Sequence, residues 1–290
     1  VKIPTGVGGS NNNATANLKC RKSKESIDVG FNRKGDTVSK AILKTNRLSK
    51  SFMSGTQEQE VLKDLNIEIY EGDFTVIMGS SGAGKSTLLY ALSGMDRPTS
   101  GSIQFFEKDI ENLSNDKLAV FRRKNCGFVF QQMFLLDNMS ILDNVLASGL
   151  LISKDRRAIT SYAKELLTKV GLTEMIWRKF PTQLSGGENQ RAAIVRALIN
   201  RPKVVFADEP TGSLNSSAGI AVLDTLTDIN EAGQSVIMVT HDLYSARRGN
   251  RILYIKDGVI SGECDLGPYR GEDDEGRHER LLSFLGSMGW

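Results

Sequence analysis

The spacing of apolar positions changes period several times along the chain, and each change predicts an element. Alternating apolar residues in Ala41–Leu48, Val61–Tyr70 and Phe74–Met78 predict three strands, with a turn or longer loop around Ser54-Gly55-Thr56-Gln57. Arg97-Pro98-Thr99-Ser100-Gly101 has the Pro and Gly of a turn and leads into a strand over Ser102–Phe106. A polar helix at about Asn115–Lys124 precedes a short strand, Cys126–Phe130. From Ile141 to Phe180 the period is helical, most clearly in Ala158–Val170, which is apolar at Ile159, Tyr162, Ala163, Leu166, Leu167 and Val170. Helices over Glu188–Asn200 and Ser216–Ile229 alternate with the apolar runs beginning at Val204 and Val236. Together these predict an α/β fold: a mostly parallel sheet flanked by helices, an antiparallel β layer from the first strands, and a helical subdomain at about 133–182.

The stretch Val76–Leu89 runs an apolar strand through a glycine-rich loop straight into a helix. The loop is Gly79-Ser80-Ser81-Gly82-Ala83-Gly84-Lys85-Ser86-Thr87, which fits G-x-x-x-x-G-K-[ST] throughout. Glycines let the backbone curl so that successive N–H groups point at one anion, and the helix starting near Lys85 adds the positive end of its dipole. Lys85 can reach outer phosphates as a compact charge, and the Ser86 hydroxyl can ligate Mg²⁺. A glycine turn that binds nothing does not need Lys-Ser at this place, so the chain is expected to bind a nucleoside triphosphate.

Other candidate groups follow in order. Phe52 lies just before the first loop, where an exposed ring could stack on adenine; a core position fits its residue type equally well. Gln131 closes the Cys126–Phe130 strand, and an amide there can ligand a metal or a water without adding charge. Met133, Phe134, Leu135, Leu136 and Met139 are unusually apolar for a connection; partner docking and buried packing both fit. Leu184-Ser185-Gly186-Gly187-Glu188-Asn189-Gln190-Arg191 opens a helix with bare N–H groups, readable as an ordinary cap or as a second anion site. One triphosphate does not need two cradles, which points this one at a nucleotide on another copy. Val204–Ala207 ends in Asp208-Glu209: Asp208 suits Mg²⁺, usually through water, and Glu209 is then placed to activate water as general base. His241 ends the last predicted strand, beside the expected nucleotide crevice.

Composition narrows this little. With 290 residues, 40% hydrophobic and 24% charged, the chain suits one large or two small globular domains. No apolar run approaches the roughly 20 residues of a membrane span, and the N-terminus lacks the apolar segment of a signal peptide. Cys20, Cys126 and Cys264 are far apart and odd in number, which predicts neither a disulfide framework nor a zinc site and makes a reducing cytoplasm the default. Charge is more informative. Residues 1–50 hold eleven Lys/Arg against three Asp/Glu, or +8, so a net charge of +3 leaves −5 for the rest. Residues 1–40 are also rich in Gly, Asn, Ser and Thr, which predicts a disordered basic extension; a solvated tail and an arm drawn to anionic lipid or nucleic acid both fit.

Taken together, these motifs resemble the nucleotide-binding subunit of an ABC transporter. The pieces are Gly79–Thr87 (Walker A), Gln131 (Q-loop), Leu184–Gln190 (signature), Val204–Glu209 (Walker B), Ser213–Asn215 (D-loop) and His241 (H-loop). The resemblance covers about Ala41–Glu263, making 41–264 the ABC ATPase domain and 265–290 a C-terminal extension. Gly127-Phe128-Val129-Phe130-Gln131-Gln132 and Asp208-Glu209-Pro210-Thr211-Gly212-Ser213-Leu214-Asn215 are similar to the branch that powers lipoprotein release, macrolide export and antimicrobial-peptide resistance. The resemblance implies ATP and Mg²⁺ as cofactors, with Mg²⁺ at Ser86, Gln131 and Asp208, and catalysis by Glu209, His241, Gln131 and Lys85. It also implies a head-to-tail homodimer closed by ATP, in which Ser185, Gly186, Gly187 and Glu188 of one chain meet the ATP of the other.

Integral-membrane permease subunits, a peripheral place on the cytoplasmic face of the membrane and no specific nucleic acid are implied as well. Asn215 stands where the D-loop commonly has Asp, Asn189 where Gln is usual and Phe52 where Tyr is commoner. The alternative is an ABC ATPase that moves no solute and acts on DNA, ribosomes or protein complexes. Those usually carry a long coiled-coil insertion or two cassettes, whereas here each motif occurs once, with no heptad run between Lys85 and Ser185.

Overall fold

The structure, a computed structural model, describes residues 20–22, 40–271 and 275–290. In chain order, strands β1 (Cys20–Lys22), β2 (Ala41–Ser54), β3 (Gln57–Leu65), β4 (Glu68–Tyr70) and β5 (Phe74–Met78) lead into helix α1 (Lys85–Leu92). Strands β6 (Ser100–Phe105) and β7 (Lys108–Asp109), helix α2 (Asn115–Asn125) and strand β8 (Cys126–Phe130) follow. Helices α3 (Ile141–Gly149), α4 (Arg156–Lys169) and α5 (Glu174–Trp177) lead to α6 (Gly186–Leu198). Strand β9 (Val204–Asp208), helix α7 (Ser216–Glu231), strand β10 (Ser235–Val239) and helix α8 (Leu243–Ala246) come next. The described chain closes with β11 (Arg251–Lys256), β12 (Val259–Asp265) and α9 (Glu275–Met288).

Two sheets result. The larger has the order β1-β12-β11-β5-β10-β9-β8 and is parallel from β11 to β8, with β12 and β1 antiparallel at one edge. The smaller is antiparallel, β3-β2-β6-β7, with β4 also on β2. Its position follows from the cores. Successive side chains of a strand face opposite ways, so each central strand is split between two apolar clusters. Val76, Met78, Val205, Ala207, Val236 and Met238 pack with residues of α3, α4, α6, α7 and α9. Ile77, Val204, Phe206, Ile237 and Val239 pack instead with Leu88, Leu89 and Leu92 of α1 and with Ile42, Leu62 and Phe105 of the antiparallel sheet. Both faces are covered, which is why the stretches beginning at Val204 and Val236 read as continuous apolar runs.

The structure departs from the sequence expectation in several places. The run Val61–Tyr70 is two strands: Asp64 takes φ +47°, and the Thr45 hydroxyl steps between Leu65 O and Ile67 N at 2.8 and 2.9 Å, replacing ladder bonds. Helix α6 begins two residues before Glu188, because Ser185 caps it. Most of the 1–40 extension lies outside the described residues, but Cys20–Lys22 form an edge strand on β12. Cys264 is disulfide-bonded, contrary to the expectation, and its partner in cross-strand register is Cys20. Their distance in sequence hid that neighbourhood, and the cysteines give no argument for a reducing compartment. Cys126 keeps a free thiol, whose pKa burial pushes up. Among the described residues no helix is long and apolar enough to cross a membrane.

The C-terminal stretch holds a docked helix. Leu281, Phe284, Leu285 and Met288 of α9 join the first cluster. Arg277, fully buried, donates to the carbonyls of Arg247 (2.6 Å), Leu266, Gly267 and Pro268 (3.1 Å each) and Gly249. These carbonyls lie on the chain entering β11 and leaving β12, so one guanidinium ties α9 to the sheet edge. Arg277→Ala is expected to lower unfolding free energy by about 3 kcal/mol, since charged hydrogen bonds are lost and buried carbonyls are left unmet; denaturant unfolding measures it.

Candidate functional site

Parallel register sets the site. Phe130 is level with Asp208, Asp208 with Val239, and Val239 with Ile77, so β8, β9, β10 and β5 finish at one edge. The residues that follow these ends are Gln131, Glu209, Thr240-His241 and Gly79. Crevices at the carboxyl ends of parallel strands are where ligands bind in such sheets.

The loop from Gly79 to Gly84 needs its glycines. Gly84, the N-cap of α1, has φ +100°, and a Cβ there would lie 2.9 Å from Leu62 Cδ2 and 3.1 Å from Val61 O of β3. The antiparallel hairpin thus holds the loop from above. Lys85 Nζ donates to Gly79 O and Ser80 O, both at 2.9 Å, which keeps the ammonium inside the loop. Burial lowers its pKa, opposed by the charges of Glu209 and Asp208.

Asp208 is met from α1. Ser86 Oγ donates to its Oδ1 at 2.9 Å and the Tyr90 hydroxyl to its Oδ2 at 2.7 Å. Burial and the bond to Asp208 push the Tyr90 pKa up to about 12. A hydroxyl and one carboxylate beside a phosphate-type loop suit Mg²⁺, which keeps waters and shares phosphate oxygens rather than needing a protein cage. Glu209 holds φ +47°, a conformation uncommon for a side-chain-bearing residue. Its N–H donates to Val239 O at 3.0 Å, and its Oε1 lies 2.8 Å from His241 Nδ1. The histidine side chain is 68% exposed and the glutamate 17%, so the pair spans from the sheet edge to solvent.

Gln131 lies against the turn after Glu209: a Cβ on Gly212 would be 2.9 Å from its Nε2, and Ser213 Oγ donates to Gln131 O at 3.2 Å. Asn215 caps α7 through Oδ1, accepting from Ala218 N at 2.9 Å. The Ser185–Glu188 turn closes on itself instead of joining the phosphate loop. Ser185 N donates to Glu188 Oε2 at 2.8 Å, and Glu188 N to Ser185 Oγ at 3.3 Å. The N–H groups of Gly186 and Gly187 begin α6, while Leu214 and Ala218 pack behind them.

Phe52 is 44% exposed on the β2–β3 hairpin, opposite Gln59, with Lys50 Nζ 4.8 Å from its ring centre. Phe134 and Leu136 are exposed, which removes buried packing as their reason for being apolar. Arg196 fixes the backbone beneath them, donating to Phe134 O and Met133 O. Two residues at the site have no role of their own in the sequence motifs, although Gln190 closes the Leu184–Gln190 string. Tyr90 was legible only as the position four after Ser86, on the same helix face. Gln190, wholly buried, donates through Nε2 to Phe130 O at 2.9 Å and ties α6 to the strand end before Gln131; its amide carries no signal in one sequence.

Comparison with known proteins agrees with the resemblance in the motifs. The ABC transporter family profile matches residues 62–212. An uncharacterised ABC transporter ATP-binding protein of Methanocaldococcus jannaschii, MJ1508, is 41% identical over 76% of this chain and 97% of its own length. The macrolide export ATP-binding/permease protein MacB of Shewanella sp. (strain ANA-3) is 41% identical over 77% of this chain, which spans only 34% of that relative. Among solved structures, the dimeric post-hydrolysis state of the ATP-binding cassette MJ0796 bound to ADP and Pi superposes with TM-score 0.70. It is 37% identical and covers 79% of this chain and 100% of that one.

The Ser185–Glu188 turn gives a pH test. Hydrogen bonds from the Ser185 N–H and then its hydroxyl hold the Glu188 carboxyl below its ordinary 4.5. A depressed folded pKa contributes stability that is present above the unfolded value and lost as pH falls through the folded one. Wild type is therefore expected to gain over Glu188→Ala at neutral pH, with the difference shrinking below about pH 4.5; urea midpoints at both pH values check it.

Proposed function

This chain belongs to the ABC transporter ATP-binding family, and we propose that it is the ATP-hydrolysing subunit driving a membrane permease in export or extraction of a lipophilic or peptide substrate. The observation that carries this reading is the row of strand ends that sets Lys85, the Ser86–Asp208 pair and the Glu209–His241 pair at one sheet edge. Gly79–Thr87 cradle the triphosphate, Lys85 meets its outer oxygens, and Phe52 offers the outer face of its ring to adenine. Ser86 and Asp208, with Gln131, would hold Mg²⁺, which would neutralise charge on the phosphate oxygens.

Hydrolysis is in-line attack of water on the γ-phosphorus, breaking its bond to the bridging oxygen and leaving ADP. Glu209 takes the water's proton, and its φ places the carboxylate past the end of β9 rather than along it. His241, bonded to Glu209 through Nδ1, keeps Nε2 for the γ-phosphate. Gln131 lies between these groups and the apolar segment 133–139, so it can report nucleotide state to a partner docked on Phe134 and Leu136. Ser185, Gly186, Gly187 and Glu188 complete the site of a second copy placed head-to-tail. This is supported by the capped turn, in which Gly186 and Gly187 open the helix, and by the dimeric state of the similar cassette with ADP and Pi. ATP is then the glue of the dimer. The subunit works at the cytoplasmic face of the membrane, bound to its permease and to no specific nucleic acid.

Glu209→Gln is expected to bind ATP, elute as a dimer with it, and hydrolyse at least about 100-fold more slowly; turnover like wild type overturns the general-base role. Purifying that variant with ATP from native membranes in mild detergent separates this reading from an ABC ATPase that moves no solute. A stoichiometric polytopic partner is the expected result; recovery with ribosomes or DNA and no membrane protein overturns transport while leaving the ATPase chemistry in place.

A further inference from the structure

Asp208 is gripped on both oxygens by one helix, and only one of the two grips is free of other duties. Ser86 and Tyr90 are four residues apart on α1 and therefore share a face. Ser86 Oγ reaches Oδ1 at 2.9 Å and Tyr90 reaches Oδ2 at 2.7 Å, the short distance of a hydroxyl donating to an ionised carboxylate. In the proposed function Ser86 must also turn a lone pair to Mg²⁺, whereas the phenol of Tyr90 has no second task. Tyr90 is well anchored for this. Its own carbonyl accepts from Met95 N at 2.9 Å, Asp96 N at 3.1 Å and Ser93 Oγ at 3.1 Å, which fixes the end of α1.

We infer that Tyr90 is a positioning residue for the metal: by holding Oδ2 it fixes the plane of the Asp208 carboxylate that Ser86 shares. This rests on the proposed function, since it requires Asp208 to face Mg²⁺. Two effects of the phenol oppose each other. A donor draws charge from the carboxylate and weakens it as a ligand, while fixing its direction strengthens binding. Partners of this kind cost about 10–100-fold in metal affinity when removed, so orientation wins. The Asp208 side chain otherwise keeps its torsion free to swing, and Ser86 alone holds only one oxygen.

The test uses the full chain with ADP and Mn²⁺, a paramagnetic stand-in for Mg²⁺ whose free form is counted by electron paramagnetic resonance. Tyr90→Phe is expected to bind Mn²⁺ about 10-fold more weakly at saturating ADP. Its affinity for ADP without metal should stay at the wild-type level, and its ATPase rate should recover as Mg²⁺ is raised. Mn²⁺ affinity equal to wild type in Tyr90→Phe, together with its loss in Asp208→Asn, overturns the inference and leaves the metal site standing. Retention of Mn²⁺ by Asp208→Asn overturns the metal assignment and this inference with it. A loss of ADP affinity without metal in Tyr90→Phe also overturns it, because the residue then supports the loop and not the carboxylate.

Discussion

The register of four parallel strands is the constraint on which the rest depends. Hydrogen bonds in β8, β9, β10 and β5 align Phe130, Asp208, Val239 and Ile77 in one row, so that Asp208 stands level with the strand ends and Gln131, Glu209, His241 and the start of the Gly79 loop lie just beyond it. A slip of one residue in β9 would turn Asp208 to the other face of the sheet and away from α1. That slip is resisted by the same side chains that build the core. Val205 and Ala207 fill one cluster, Val204 and Phe206 the other, and exchanging them would put an aromatic where an alanine is packed. Position of the chemistry and packing of the core are thus set by one set of bonds.

One strained residue sits where β9 ends. Glu209 takes a left-handed backbone that costs on the order of 1–3 kcal/mol, and its N–H bond to Val239 O and the packing of β9 hold it there. The result is a carboxylate lifted out of the strand's line and onto His241. Elsewhere the loop at Gly84 avoids such a cost by having no Cβ, and the hairpin of the antiparallel layer then comes close enough to hold it.

Segments that look separate along the chain are physically continuous at this edge. Gln190 of α6 bonds the end of β8, the next residue Gln131 takes a bond from Ser213, and Leu214 packs behind Gly186. The Ser185–Glu188 turn and Gln131 therefore share a frame, although one closes on itself and the other lies at the sheet. Asn215 keeps the helix-capping bond through its amide oxygen, so the change from the common Asp leaves α7 capped.

The ABC ATPase family and its α/β architecture were legible in the sequence, because loop, strand and helix chemistry in Gly79–Thr87, Leu184–Arg191 and Val204–Glu209 is local: each needs a fixed spacing and particular residue types. The alternation of buried runs with helices likewise predicted a mostly parallel sheet, since strands covered on both faces lose their polar positions. What the sequence left open depended on contacts between distant residues. Phe52 could have been core until the hairpin exposed it, and the split between β3 and β4 depends on a hydroxyl from Thr45. The docking of α9 rests on Arg277 reaching carbonyls on either side of β11 and β12. Tyr90 and Gln190 are ordinary residues on helices until the fold brings Asp208 and Phe130 within hydrogen-bond reach. Short-range chemistry is written in order and spacing; a hydrogen bond between residues more than a hundred apart, such as Tyr90 to Asp208, exists only once the sheet has closed.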